Sequence, residues 1–210
     1  MASTTWDSFH RRGEVLRAVV EEANARRDGV LPMELPGVAE TFGDEFNLIA
    51  ALQLRWHTRL AGRIERALME QPMDLESAVL SAWRGAATEL VGVRQILDAY
   101  TAHPTSQEMA EALRTSHRKD WTLMAAMAGR ASINDERAER VGRQLEEQAR
   151  AAYNPVAAHV GRHRARTEAP RHPSFLSRLK AHLAARVPQR PRLRRHLPPS
   201  RRRRRGLSLS

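Results

Sequence analysis

The feature that most constrains the fold is an apolar stripe in the segment DEFNLIAALQLRWHTRLAGRIERALMEQ, residues 44–71. Ile49, Leu52, Trp56, Leu60, Ile64 and Leu68 recur at spacings of three and four, so they share one face of a helix. Arg55, Arg59, Arg63, Glu65 and Arg66 lie off that face. Asp44 is a good N-cap and Pro72 ends the segment. At 1.5 Å per residue this is a rod of roughly 40 Å, and its stripe must be buried against other elements.

The flanking sequence supplies them. From Thr5 to Arg27 the residues Trp6, Phe9, Leu16, Val19, Val20 and Ala23 share a face, and Asp28-Gly29 stops the run. A connector with Pro32 and Pro36 follows, and Val38–Phe42 has room for one helical turn. Asp74 caps a segment carrying Val79, Ala82, Trp83, Ala86 and Leu90, which Gly92 interrupts before Val93, Ile96, Leu97 and Tyr100. Thr105 to Glu108 spells a capping box ahead of Met109, Leu113, Leu123, Met124 and Met127. Ser132 is the expected cap of the last body helix, with Val141, Leu145, Ala149 and Tyr153, which stops at Asn154-Pro155. No strand or hairpin signal is present. The expectation is an all-α fold: a single helical bundle of about five or six helices over residues 1–154, its core anchored by the tryptophans.

Charge divides the chain at the same place. Residues 155–210 hold 16 basic residues and one acid, Glu168, against 19 basic and 23 acidic residues before them. The body is thus at −4 and the tail at +15, within a whole-chain charge of +11. Seven of the eleven prolines also fall in the tail. Such a composition cannot bury a core, so residues 155–210 are expected to be a mostly disordered Arg/Pro-rich arm. One short basic amphipathic helix is expected at residues 174–187, with Phe175, Leu176, Leu179 and Leu183 on one face. That helix suits an anionic lipid surface only weakly, and membrane docking ranks below nucleic acid.

Guanidinium groups are always charged and fork onto two oxygens, so clustered arginines grip phosphates. Arg192, Arg194, Arg195, Arg201, Arg202, Arg203, Arg204 and Arg205 are the expected contacts for non-specific DNA or RNA. Phe175 is the tail's sole aromatic, so base stacking adds little. A solubilising arm, or a GC-rich stretch translated under little selection, would have the same composition.

Other chemistries find less support. Without cysteine there is no disulfide, thiolate metal site or thiol nucleophile. His159 and His163 have metal-ligand spacing but no carboxylate beside them, and Arg162 and Arg164 flank them. No phosphate loop, nucleophile elbow or zincin motif occurs, so neither a cofactor, a metal nor catalysis is expected. In SHRKDW, residues 116–121, His117 and Asp120 could pair, but a solvated helix face is the simpler reading. His57 reads as a boundary residue, and Arg94 with Asp98 as an exposed i,i+4 ion pair. No apolar run of signal-peptide or membrane-spanning length occurs, and the expected location is cytoplasmic.

RRGEVLRAVVEEANARRDGV, residues 11–30, resembles the first helix of TetR-type repressors. FGDEFNLIAAL, residues 42–52, is similar to their F-x-S-K-E-x-L entry into the fourth helix. LRWHTRLAGRIERAL and HPTSQEMAEAL resemble their ligand-binding region, so the likeness spans about residues 11–127. The resemblance implies a helical scaffold with a central cavity or a dimerising helix pair. It does not extend to the helix-turn-helix: VLPMELPGVAET, residues 30–41, has no room for a recognition helix.

Two functional expectations follow. The first is a non-enzymatic interaction or regulatory protein, with a protein partner or a second copy on the bundle and nucleic acid on the arm. The alternative is a small-molecule-sensing bundle, its pocket lined by residues such as Trp56, Trp83, Trp121 and Met124.

Overall fold

Asp44 accepts a hydrogen bond from the Asn47 amide at 2.8 Å and starts the rod where the sequence places it. The computed structural model describes residues 2–153, which are helical throughout apart from their connections. In order the helices are α1 (Ala2–Arg26), α2 (Val38–Phe42), α3 (Glu45–Glu70), α4 (Leu75–Glu89), α5 (Val91–Ala102), α6 (Gln107–Met127) and α7 (Ala138–Ala151). The all-α expectation holds, with seven helices among the described residues. None is long and apolar enough to cross a membrane. The arginine arm, the 174–187 segment and His159 with His163 lie outside the described residues, as do the side chains of Trp6 and Phe9.

The α3 stripe is the spine of the core. Ile49, Leu52, Trp56, Leu60 and Ile64 are all buried, and Trp56 meets Trp83 of α4 edge to face at 5.8 Å. α3 packs on α4 and also touches α5 and α6; α7 lies along α6 and against α4. Glu89 clasps α4 to α3 by pairing with Arg59 at 2.6 Å and Arg63 at 2.8 Å.

Three boundaries differ from the sequence reading, each for a local reason. The segment 75–102 is two helices broken at Leu90, not one interrupted at Gly92. Asn24 of α1 holds the break: its side chain donates to the Glu89 carbonyl at 3.0 Å and accepts from the Gly92 amide at 2.9 Å. Gly92 lies in α5 because a Cβ there would sit 1.8 Å from the Ala23 carbonyl oxygen, so α1 can approach only glycine. The cap of α6 is Ser106, not Thr105; its hydroxyl accepts from the Met109 amide. Ser132 does not cap α7, which begins at Ala138 after a turn in which Asp135 accepts from the Arg137 amide.

Candidate functional site

Helices α3 and α6 flank a half-open pocket of about 260 Å³, and it has one polar end. Phe46, Ile49, Leu54, Met109, Ala112 and Leu113 supply most of its apolar lining, and Gln53, His57, Ser116, Lys119 and Asp120 are its polar residues. Leu54 sits at this lining although it is 66% exposed.

The polar end is built around one carboxylate. Asp120 is only 3% exposed, and both of its oxygens are used. His57 Nδ1 donates to Oδ1 at 2.6 Å, and Gln53 Nε2 donates to Oδ2 at 3.2 Å. The Asp120 hydrogen bond, reinforced by its charge, raises the His57 pKa against partial burial and the nearby Lys119 ammonium. A carboxylate on Nδ1 fixes the ring and leaves Nε2 as its remaining polar atom. The pair can therefore offer a hydrogen bond or exchange a proton beside an apolar chamber, in which Ser116 also takes part. Gln53 Oε1 is buried without a partner in the protein.

A second polar centre lies across the core, where α5, α6 and α7 meet. Arg150 of α7 grips Asp98 of α5 with two bonds, 2.8 and 3.0 Å, and Glu146 at 2.9 Å, while its guanidinium lies over the Trp83 ring at 5.0 Å. Burial works to raise the Asp98 pKa, but Arg150 and Arg94 outweigh it and hold the carboxyl below its usual range. Trp121 donates its indole N–H to Glu146 and is stacked on by His117 at 5.5 Å. Since the Thr101 hydroxyl donates to the Leu97 carbonyl at 2.6 Å, it accepts from His117 Nε2 at 3.1 Å. Burial, then the Arg94 charge, pushes the His117 pKa down.

No family model matches this chain, and neither a curated protein nor a solved structure does.

The functional geometry thus rests on residues that the sequence reading treated as bland. His117, expected on a solvated face, is buried at 6% exposure because α5 and α7 cover that side of α6. Asp120 is bonded to His57 and Gln53 rather than to His117, since α3 brings them to it from more than sixty residues away. Arg94, expected in an exposed ion pair, is 4% exposed and lies over the Trp56 ring at 4.7 Å. Of the residues expected around a pocket, Trp56 and Met124 are buried in the core, Trp83 is buried and lines a cavity among α4, α5 and α7, and Trp121 lines the α5–α7 centre. None of the four lines the α3–α6 cavity. Among the described residues no cluster of three or more His, Asp or Glu side chains has a metal-binding arrangement.

A signal for these centres was present. Gln53 falls between Ile49, Trp56 and Leu60 on the α3 stripe; His117 and Asp120 fall between Leu113 and Met124 on that of α6. Polar residues on an apolar stripe are buried residues in need of partners.

Proposed function

We propose that this protein is a helical small-molecule-binding module, and that its ligand occupies the α3–α6 cavity. The carrying observation is the pairing of a mostly apolar pocket with the His57–Asp120 pair at its polar end. Ligand sites are typically apolar concavities with a few fixed polar groups. Each Asp120 oxygen already accepts one hydrogen bond, from His57 or from Gln53. With Nδ1 donating to Asp120, His57 Nε2 accepts while the ring is neutral and donates once it is protonated, and the Lys119 ammonium donates. The ligand class is therefore a compact apolar molecule with one small polar head that can both donate and accept, as a hydroxyl does. The resemblance of residues 54–68 and 103–113 to the ligand-binding region of TetR-type repressors supports the same reading.

The test is calorimetric and thermal-shift titration with a panel of small phenols and aliphatic alcohols. Binding should be saturable, abolished by Ala112→Phe, which fills the cavity, and weakened by His57→Gln. A panel without effect, or equal effects on Ala112→Phe, would refute this assignment.

A second reading rests on the charge division, −4 in residues 1–154 and +15 in residues 155–210. In it the arm binds DNA or RNA without sequence preference, and the bundle adds a regulatory partner or ligand. Removing residues 155–210 should then abolish nucleic-acid binding and leave helicity unchanged. Retention measured at two salt concentrations would place the binding elsewhere.

A further inference from the structure

The charge at the polar end of the α3–α6 pocket depends on a single proton near neutrality. The His57 side chain is 39% exposed and lines the pocket, and its Nδ1 is committed to Asp120 at 2.6 Å. Nε2 is therefore the atom whose character changes. It is a lone-pair acceptor in the neutral ring and an N–H donor in the imidazolium. The charges that act on His57 are those of Asp120 and Lys119, both on α6.

With the ring neutral, Asp120 and Lys119 cancel, and a carboxylate at Nε2 would meet a lone pair. With the ring protonated, the three groups together are cationic, and Nε2 donates beside the Lys119 ammonium. The two ring nitrogens point away from each other, so an anion on Nε2 has the ring between it and Asp120. Asp120 is also only 3% exposed. Phe46, Ile49, Met109 and Leu113 supply apolar walls, beside which a charged hydrogen bond is stronger than in water.

We infer that the α3–α6 pocket also takes up a small carboxylate with an apolar body, together with one proton: the proton settles on His57, and the carboxylate accepts from Nε2. This rests on the reading of the pocket as a ligand site and adds a second ligand class to it. The proton comes from solvent, which reaches His57. Asp120 assists, since its hydrogen bond and charge hold the His57 pKa above its ordinary 6.5 and keep the imidazolium accessible near neutrality. A carboxylate thus binds most tightly below the folded pKa of His57 and is released as pH rises through it.

Benzoate, which stays ionised from pH 6 to pH 9, is the probe, and benzyl alcohol is its neutral match. Both are titrated calorimetrically into the full-length protein at constant ionic strength. Benzoate affinity should be highest at pH 6 and fall by up to about tenfold per pH unit above the folded pKa of His57. Titrations at pH 8.5 in buffers of different ionisation heat should show uptake approaching one proton per benzoate. Benzyl alcohol should bind with little change across the range and take up none, because a hydroxyl donates to the neutral ring and accepts from the charged one. His57→Gln should remove both the pH slope and the proton uptake. Lys119→Gln should weaken benzoate by a similar factor at every pH, and Ala112→Phe should remove both ligands. If wild-type protein binds benzyl alcohol but not benzoate, or binds benzoate without proton uptake, the inference is overturned and the pocket reading stands. A slope that persists in folded His57→Gln protein, or benzoate binding unchanged by Ala112→Phe, overturns it as well. Failure of both probes overturns the inference and the pocket reading together.

Discussion

The two buried polar centres solve the same problem differently. At the α3–α6 chamber, Asp120 is matched by a histidine that can gain or lose its proton and by a glutamine amide. At the α5–α7 centre, two arginines that cannot lose theirs share Asp98. One centre pairs its carboxylate with a group that titrates; the other holds Arg94 by the Asp98 ion pair and the Trp56 face. Burial is tolerated where a group can titrate or find geometry, and a guanidinium has only the second route.

Detaching α7 would break this comparison most severely. A Cβ on Gly142 would lie 1.9 Å from the Trp121 carbonyl oxygen, a backbone atom. Gly142→Ala should lower unfolding free energy by roughly 3 kcal/mol or more, measured by urea denaturation. Gly62→Ala, which meets nothing within 4 Å, should stabilise by up to about 1 kcal/mol. A loss under about 1 kcal/mol for Gly142→Ala would show that α7 does not depend on the close approach.

The next effects test the two carboxylates. Asp120→Asn, by weakening the bonds to His57 and Gln53, should destabilise by about 1–3 kcal/mol. Arg94→Met, by removing one partner of the buried Arg94–Asp98 ion pair and the cation over Trp56, should destabilise by about 1–2 kcal/mol, since Arg150 still holds Asp98. A gain in stability for Arg94→Met would mean that Asp98 and Trp56 do not offset the burial of its charge.

Titration sharpens the contrast, because the two histidines shift in opposite directions from 6.5. His57, raised by Asp120, contributes stability below its unfolded pKa that is lost as pH rises through its folded pKa. His117, lowered by burial and by Arg94 against the pull of Glu146, Asp120 and Asp98, resists protonation. Stability is therefore lost on its account as pH falls below 6.5 toward its folded pKa. Urea midpoints from pH 5 to 8.5 should show His57→Gln flattening the upper limb and His117→Gln the lower one. Identical profiles for the two variants would contradict these assignments.

The smallest effect tests the Tyr153 side chain. The Tyr153 hydroxyl donates to the Ala87 carbonyl at 3.1 Å, so Tyr153→Phe should cost about 1 kcal/mol. It should leave the His57 limb of the pH profile unchanged.

Much of the scaffold was legible before folding. Asp44 and Asp74 cap the helices they precede, and the α3 stripe is buried from Ile49 to Ile64. The candidate sites were not legible, although Gln53, Asp120 and Arg94 stand on apolar stripes. Periodicity shows which face of a helix turns inward and is silent on which residues of another helix will meet it.

Local sequence determined helix identity and the face each helix buries, because capping and amphipathic spacing act within a few residues. Tertiary structure alone decided that Asn24 splits α4 from α5, that Asp120 serves His57, and that Arg94 is buried beside Asp98. The first two join partners more than sixty residues apart, and the third depends on α3 and α7 closing over an i,i+4 pair. Hydrogen bonds and burial depend on distances in space, and only packing sets those distances.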